Sequence, residues 1–91
     1  MNAVVLKRFD EDDNVFFELI APRLAIRPTL FAGYLQELRF DVTGLELASI
    51  HNNIEEGNAV IYTCTPKEGA ELTSNDLLAD YDTALGKYSE E

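Results

Sequence analysis

Residues 3–21 read AVVLKRF DEDDN VFFELIA, two runs rich in Val, Phe, Leu and Ile on either side of five polar, turn-compatible residues. Short β-branched and aromatic runs around such a cluster predict a β-hairpin over Ala3–Phe9 and Val15–Ala21. Pro22 closes the second strand because it has no backbone N–H to give to a ladder.

Working outward, Pro28 and Thr29 mark the approach to a helix. Leu30, Phe31, Tyr34, Leu35 and Leu38 then fall on one helical face, with Thr29 as the expected N-cap. Gly33 costs that helix about 1 kcal/mol relative to Ala. A second pair of apolar runs, Leu45–His51 and Ala59–Thr65, flanks Asn52–Asn58 and predicts a second hairpin. The competing assignment is a helix over residues 45–56 ended by Gly57. With His51 opposite Ala59, the hairpin register puts Cys64 opposite Glu46, about 16 Å along the strand from His51. The last element is a helix. Thr73 as N-cap and Asp76 three residues on form a capping box, Leu72 and Leu77 a hydrophobic staple, and Leu77, Leu78, Tyr81, Leu85 and Tyr88 one face.

Strand, strand, helix therefore occurs twice. A shift of 44 positions brings Glu11 onto Glu55, Asn14 onto Asn58, Pro22 onto Pro66 and Thr29 onto Thr73, which suggests a duplicated ββα unit. The predicted fold is α+β: a two-layer sandwich with an antiparallel four-stranded sheet and two helices on one face, in one domain spanning residues 1–91.

Charge narrows the partners. Seventeen Asp and Glu against seven Lys and Arg leave a net charge of -10 on 91 residues, while 46% hydrophobic content suffices for a core. Such an excess favours solubility and opposes contact with nucleic acid or anionic membrane. No apolar run is long enough to cross a bilayer, and the N-terminus has no basic region followed by an apolar core, so a cytoplasmic protein is expected. A single cysteine, Cys64, excludes an internal disulfide.

No motif names a reaction. Asp10, Asp12 and Asn14 stand where a calcium loop has its first three ligands, but Val15 replaces the obligatory Gly and Ala21 the bidentate Glu, so a solvated hairpin tip is expected. One His and one Cys are too few for a zinc site, and the register keeps them apart. Ser49, Ser74 and Ser89 have no nucleophile-elbow context, and no glycine-rich phosphate loop exists. Neither catalytic, cofactor-binding nor metal residues are expected.

The acids concentrate at Asp10, Glu11, Asp12 and Asp13 and again at Glu68, Glu71, Asp76, Asp80 and Asp82, with Arg23, Arg27 and Arg39 between. Asp76 suits the positive end of the last helix and Lys87 the negative end, but Asp80 and Asp82 have no cation three or four positions away on that helix. These nine acids are the expected partner-binding residues. The expected function is that of a small, non-enzymatic acidic inhibitor or interaction protein that engages a basic, nucleic-acid-binding partner, as nucleic-acid mimics and phage anti-defence proteins do. Duplex DNA as long as such a globule carries about 18 phosphates, so the charge supply permits mimicry only if most acids face one side. The alternatives are an immunity- or antitoxin-like module with an aromatic anchor (Tyr34, Tyr81 or Tyr88), or a homo-oligomeric accessory subunit, a homodimer for instance, whose acidity serves solubility.

Overall fold

The computed structural model describes residues 3–24, 27–48 and 58–89. Strand β1 (Val4–Phe9) pairs antiparallel with β2 (Val15–Pro22), from Val4–Ile20 to Phe9–Val15, so that residues 10–14 form the turn. Helix α1 (Pro28–Gln36) leads to β3 (Phe40–Ala48), and β4 (Ala59–Pro66) is followed by a short 3-10 turn and by α2 (Ser74–Ser89). All neighbouring strands are antiparallel, in the order β1-β2-β4-β3. The fold is the expected α+β two-layer sandwich.

Alternation in β2 and β4 decides which face the helices cover. Phe17, Leu19 and Ala21 pair with Cys64, Tyr62 and Val60, and all six are buried in one cluster with Phe31 and Leu35 of α1 and Leu77, Tyr81 and Ala84 of α2. Phe31 meets the rings of Tyr62 and Tyr81, each with centroids 5.6 Å away, and Phe17 meets Phe40 edge-on at 5.7 Å. Intervening residues such as Phe16, Glu18 and Ile20 are only half-buried.

The repeat has a geometric counterpart at the sheet centre. β4 spans the positions 44 beyond β2, and both Phe17–Cys64 and Ile20–Ile61 are paired, as a two-fold relation between these strands requires. The correspondence slips at the outer strands because ten residues (49–58) join β3 to β4 where five join β1 to β2.

That longer connection corrects the expected register. β3 begins at Phe40 rather than Leu45, Ala48 lies opposite Ala59, and Cys64 faces Val42, not Glu46. An irregularity between Val42 and Gly44 leaves Thr43 as an extra residue. There a Cβ on Gly44 would come within 3.3 Å of the Thr63 side chain. Of the 45–56 stretch on which hairpin and helix competed, residues 45–48 are strand paired with β4; the rest of it, with His51, and the tail acids Glu90 and Glu91 lie outside the described residues.

Helix α1 starts earlier than expected. Arg27 is its N-cap and Pro28 takes the first turn, where a fixed φ and a missing N–H carry no penalty, so Thr29 is inside the helix. Leu30, about 100° around the axis from the buried Phe31, is left exposed. α2 begins as read: Asp76 N–H donates to Thr73 Oγ1 (3.2 Å) and Thr73 N–H to Asp76 Oδ2 (2.8 Å), while Leu77 is buried in the core cluster against which Leu72 packs.

Candidate functional site

The antiparallel β2–β4 pairing sets the start of β2 beside the end of β4. The β1–β2 turn and the β4–α2 connection thereby meet at one end of the sheet, and Asp13, Asn14, Gly69 and Ala70 line one open concavity of about 590 Å³ together with Lys7 and Phe9. Asp10, Glu11, Asp12, Asp13, Glu68 and Glu71 are all exposed at this end. Lys7 Nζ lies 5.6 Å from the centroid of the Phe9 ring, and Lys67 Nζ donates to the Gln36 carbonyl. No cation pairs with any of the six carboxylates among the described residues.

Backbone geometry fixes their placement. Asp10 Oδ1 accepts the N–H groups of Asp12 (2.8 Å) and Asn14 (2.9 Å), which folds the tip over its own first residue. Asp13 and Glu68 are the two non-glycine residues with positive φ among the described residues, at 63° and 53°. Asp tolerates the left-handed region, whereas Glu gains nothing local from it. Phe9, 61% exposed, is the large apolar side chain most open to solvent among the described residues. Sequence reasoning had assigned it to the hairpin strand. The available signal was its place as the last residue of an edge strand, directly before the acidic run.

The acids of α2 do not join this cluster as a set. Asp80 is 6% exposed and accepts Arg39 Nε (3.0 Å) and Nη2 (2.7 Å), so the cation absent from its own helix comes from the α1–β3 connection. Asp76 closes the capping box and also meets Arg39 Nη1 at 3.4 Å. Asp82 is exposed farther along α2. Lys87 pairs with Glu37, and Arg8 with Glu18. Arg23 lies at the opposite end of the strands, its N–H donating to the Asn58 carbonyl, and Arg27 starts α1, whose other end is the one tied to Lys67. Charge is therefore segregated for Arg23 and Arg27 and intermixed for Arg39. Of the three tyrosines considered as anchors, Tyr81 is core and Tyr34 and Tyr88 are half-buried.

Two carboxyls titrate low. Asp10 is held below 3.8 chiefly by the Asn14 N–H, and Asp76 chiefly by the Thr73 N–H and hydroxyl, with Arg39 adding to the effect. A carboxyl depressed on folding stabilises the fold fully above its unfolded pKa and loses that contribution as pH falls through the folded value. The stability gap between wild type and Asp76→Asn should thus stay constant above about pH 5 and close at lower pH, as read by urea denaturation at stepped pH. A gap that widens on acidification would contradict the capping box. Burial pushes the Cys64 thiol up to about 12, the behaviour of a core residue and not of a nucleophile.

No group of three or more potential metal ligands occurs among the described residues, and no helix among them is long and apolar enough to cross a membrane. No family model, curated protein or solved structure matches this chain.

Proposed function

We propose that this protein is a small acidic interaction module that inhibits or sequesters a basic protein partner by docking the acidic end of its sheet, with Phe9 as the apolar anchor. The observation that carries it is the meeting of two sequence-distant acidic segments at one concavity, where Asp13 of the first and Gly69 and Ala70, between Glu68 and Glu71 of the second, line the wall together with the exposed Phe9. An aromatic centre inside a charged rim is the usual anatomy of an interface hot spot. The left-handed Glu68 adds support, since backbone strain that serves no packing purpose gathers at functional sites. Six exposed carboxylates at one end of the sheet are well short of the roughly 20 phosphates on a duplex segment as long as this molecule, so a compact basic patch suits the surface better than an extended nucleic-acid groove. A partner that uses that patch for nucleic acid would still be blocked.

The test is affinity capture from the native host followed by calorimetry with variants. Phe9→Ala should weaken binding about 30-fold, the loss of a hot-spot side chain, with little change in stability. Asp12→Asn with Asp13→Asn should steepen neither folding nor aggregation but slow association and flatten the salt dependence. Glu68→Gly should stabilise the fold by about 0.5–1 kcal/mol by relieving the left-handed residue while lowering affinity. Binding that is indifferent to all three changes would remove this end of the molecule from the interface.

A further inference from the structure

The sheet face turned away from the helices carries no other element among the described residues, and on it Val4, Leu6, Ile20 and Ile61 adjoin one another beside a central Glu18 and Thr63. Val4 and Leu6 on β1 are 50% and 38% exposed, and Phe16, Ile20 and Ile61 beside them are half-buried. A contiguous patch of this kind on a highly charged chain marks a surface that is covered in use. We infer that a second copy of this chain covers it, the two open faces packing against each other about a two-fold axis that runs along the strands over the β2–β4 seam.

Charge placement selects that occupant. On the open face Arg8 stands on edge strand β1 opposite Phe16, and Asp41 stands on edge strand β3 opposite Thr65. Phe16 and Thr65 each lie one position beyond the Phe17–Cys64 pair, so Arg8 and Asp41 occupy opposite edges at one level of the sheet. An axis along the strands lays β1 of one copy over β3 of the other, which brings Arg8 to Asp41 of the second copy twice, once at each edge. The same operation sets Ile20 over Ile61 of the second copy at the centre and Val4 over Glu46 at each edge, where the exposed Glu46 carboxylate stays at the solvated rim. Arg8 already pairs with Glu18, and a guanidinium with five N–H donors has some left for a second carboxylate. A long arginine side chain also spans the offset of about 30° at which sheets stack.

The area is adequate for a weak dimer. Four strands of about eight residues cover roughly 19 Å by 26 Å, hence about 500 Å² per copy and 1,000 Å² for the pair, the lower bound of specific interfaces. Interfaces at that lower bound are weak, and a dissociation constant on the order of 10–100 µM is expected. The axis leaves both acidic ends pointing the same way, clear of the interface. Their mutual repulsion opposes association until salt screens it. Self-association should therefore tighten with salt, whereas capture of a basic partner weakens with it.

Sedimentation equilibrium of the full chain decides the matter. The expected result is a species of twice the 10.2 kDa chain mass. Its dissociation constant should fall about 5-fold between 0.05 and 0.5 M NaCl. Leu6→Lys should weaken the dimer at least 10-fold with an unchanged far-UV spectrum. Arg8→Asp should weaken it similarly, and adding Asp41→Arg should restore it to within about 3-fold of wild type. A chain that stays monomeric at about 1 mM in high salt overturns the proposal. So does a dimer indifferent to Leu6→Lys and to both charge reversals, as an edge-to-edge strand pair would be.

Discussion

Phe31→Ala should lower the free energy of unfolding by about 4 kcal/mol, as measured by urea denaturation followed by far-UV circular dichroism. Phe31 is fully buried, and its ring is the point at which α1, the sheet and α2 meet, touching Tyr62 on β4 and Tyr81 on α2. Truncation removes the transfer free energy of the ring, two ring contacts, and the filling of a site that rigid neighbours on both sides cannot collapse to close. A domain of this length has only about 5–13 kcal/mol in all, so the variant should show a visibly lowered melting temperature and incomplete folding at 37 °C. Leu30→Ala is the internal control. Leu30 sits one position away on the same helix but is 43% exposed, so its loss should cost well under 1 kcal/mol. Equal shifts in the two variants would mean that α1 does not present Phe31 to the core.

The contrast between these neighbours illustrates which features were legible in the sequence. Local signals read correctly: the strand expected over Val15–Ala21, which runs to Pro22, the turn at Asp10–Asn14 and the Thr73–Asp76 capping box all depend on residues within a few positions of one another. Leu30 was misread because the five apolar positions span about 140° of the helix and the core takes the Phe31–Leu35 side, which leaves Leu30 at the far edge of the face; the cap was misread separately, since Pro28 prefers the first turn. The start of β3 was misread for a different reason. Its first half alternates, Phe40 and Val42 facing the core and Asp41 facing out, but the extra residue Thr43 shifts the inward positions to Leu45 and Leu47, so no single period-2 pattern runs through the strand. At the candidate site, the acidic segments could be named from the sequence, but their meeting at one end of the sheet depends on β2–β4 pairing across more than forty residues. The same distance hid the role of Asp80. Its missing cation was noticed along the helix, where neighbours are three or four positions away, whereas Arg39 lies 41 positions back in the chain.

Arg39→Ala should cost about 2 kcal/mol, the second-largest effect expected from a single change here. Asp80 is nearly inaccessible, and Arg39 supplies the cationic hydrogen bonds that compensate for taking its carboxylate out of water. Removing one partner of a fully buried pair costs about 3–5 kcal/mol because the other charge is left unpaired. Arg39 is itself 46% exposed, so water screens the pair and can partly reach the vacated side, which lowers the figure. Its guanidinium pKa is raised, first by the hydrogen bond to Asp80, so the cation persists at any pH at which the protein is folded. The pair therefore does not act as a switch but as a fixed clasp between the α1–β3 connection and α2. A double-mutant cycle with Asp80→Ala should return a coupling energy of about 1–3 kcal/mol, since the double variant no longer strands a buried carboxylate. Arg39→Lys should recover only part of the loss, because an ammonium cannot donate in parallel to Asp80 and to the Asp76 carbonyl, which Nη2 reaches at 3.0 Å. A coupling below about 0.3 kcal/mol would reduce the clasp to a surface ion pair. Asp80 would then be available, electrostatically, to the same partner as the carboxylates at the acidic end.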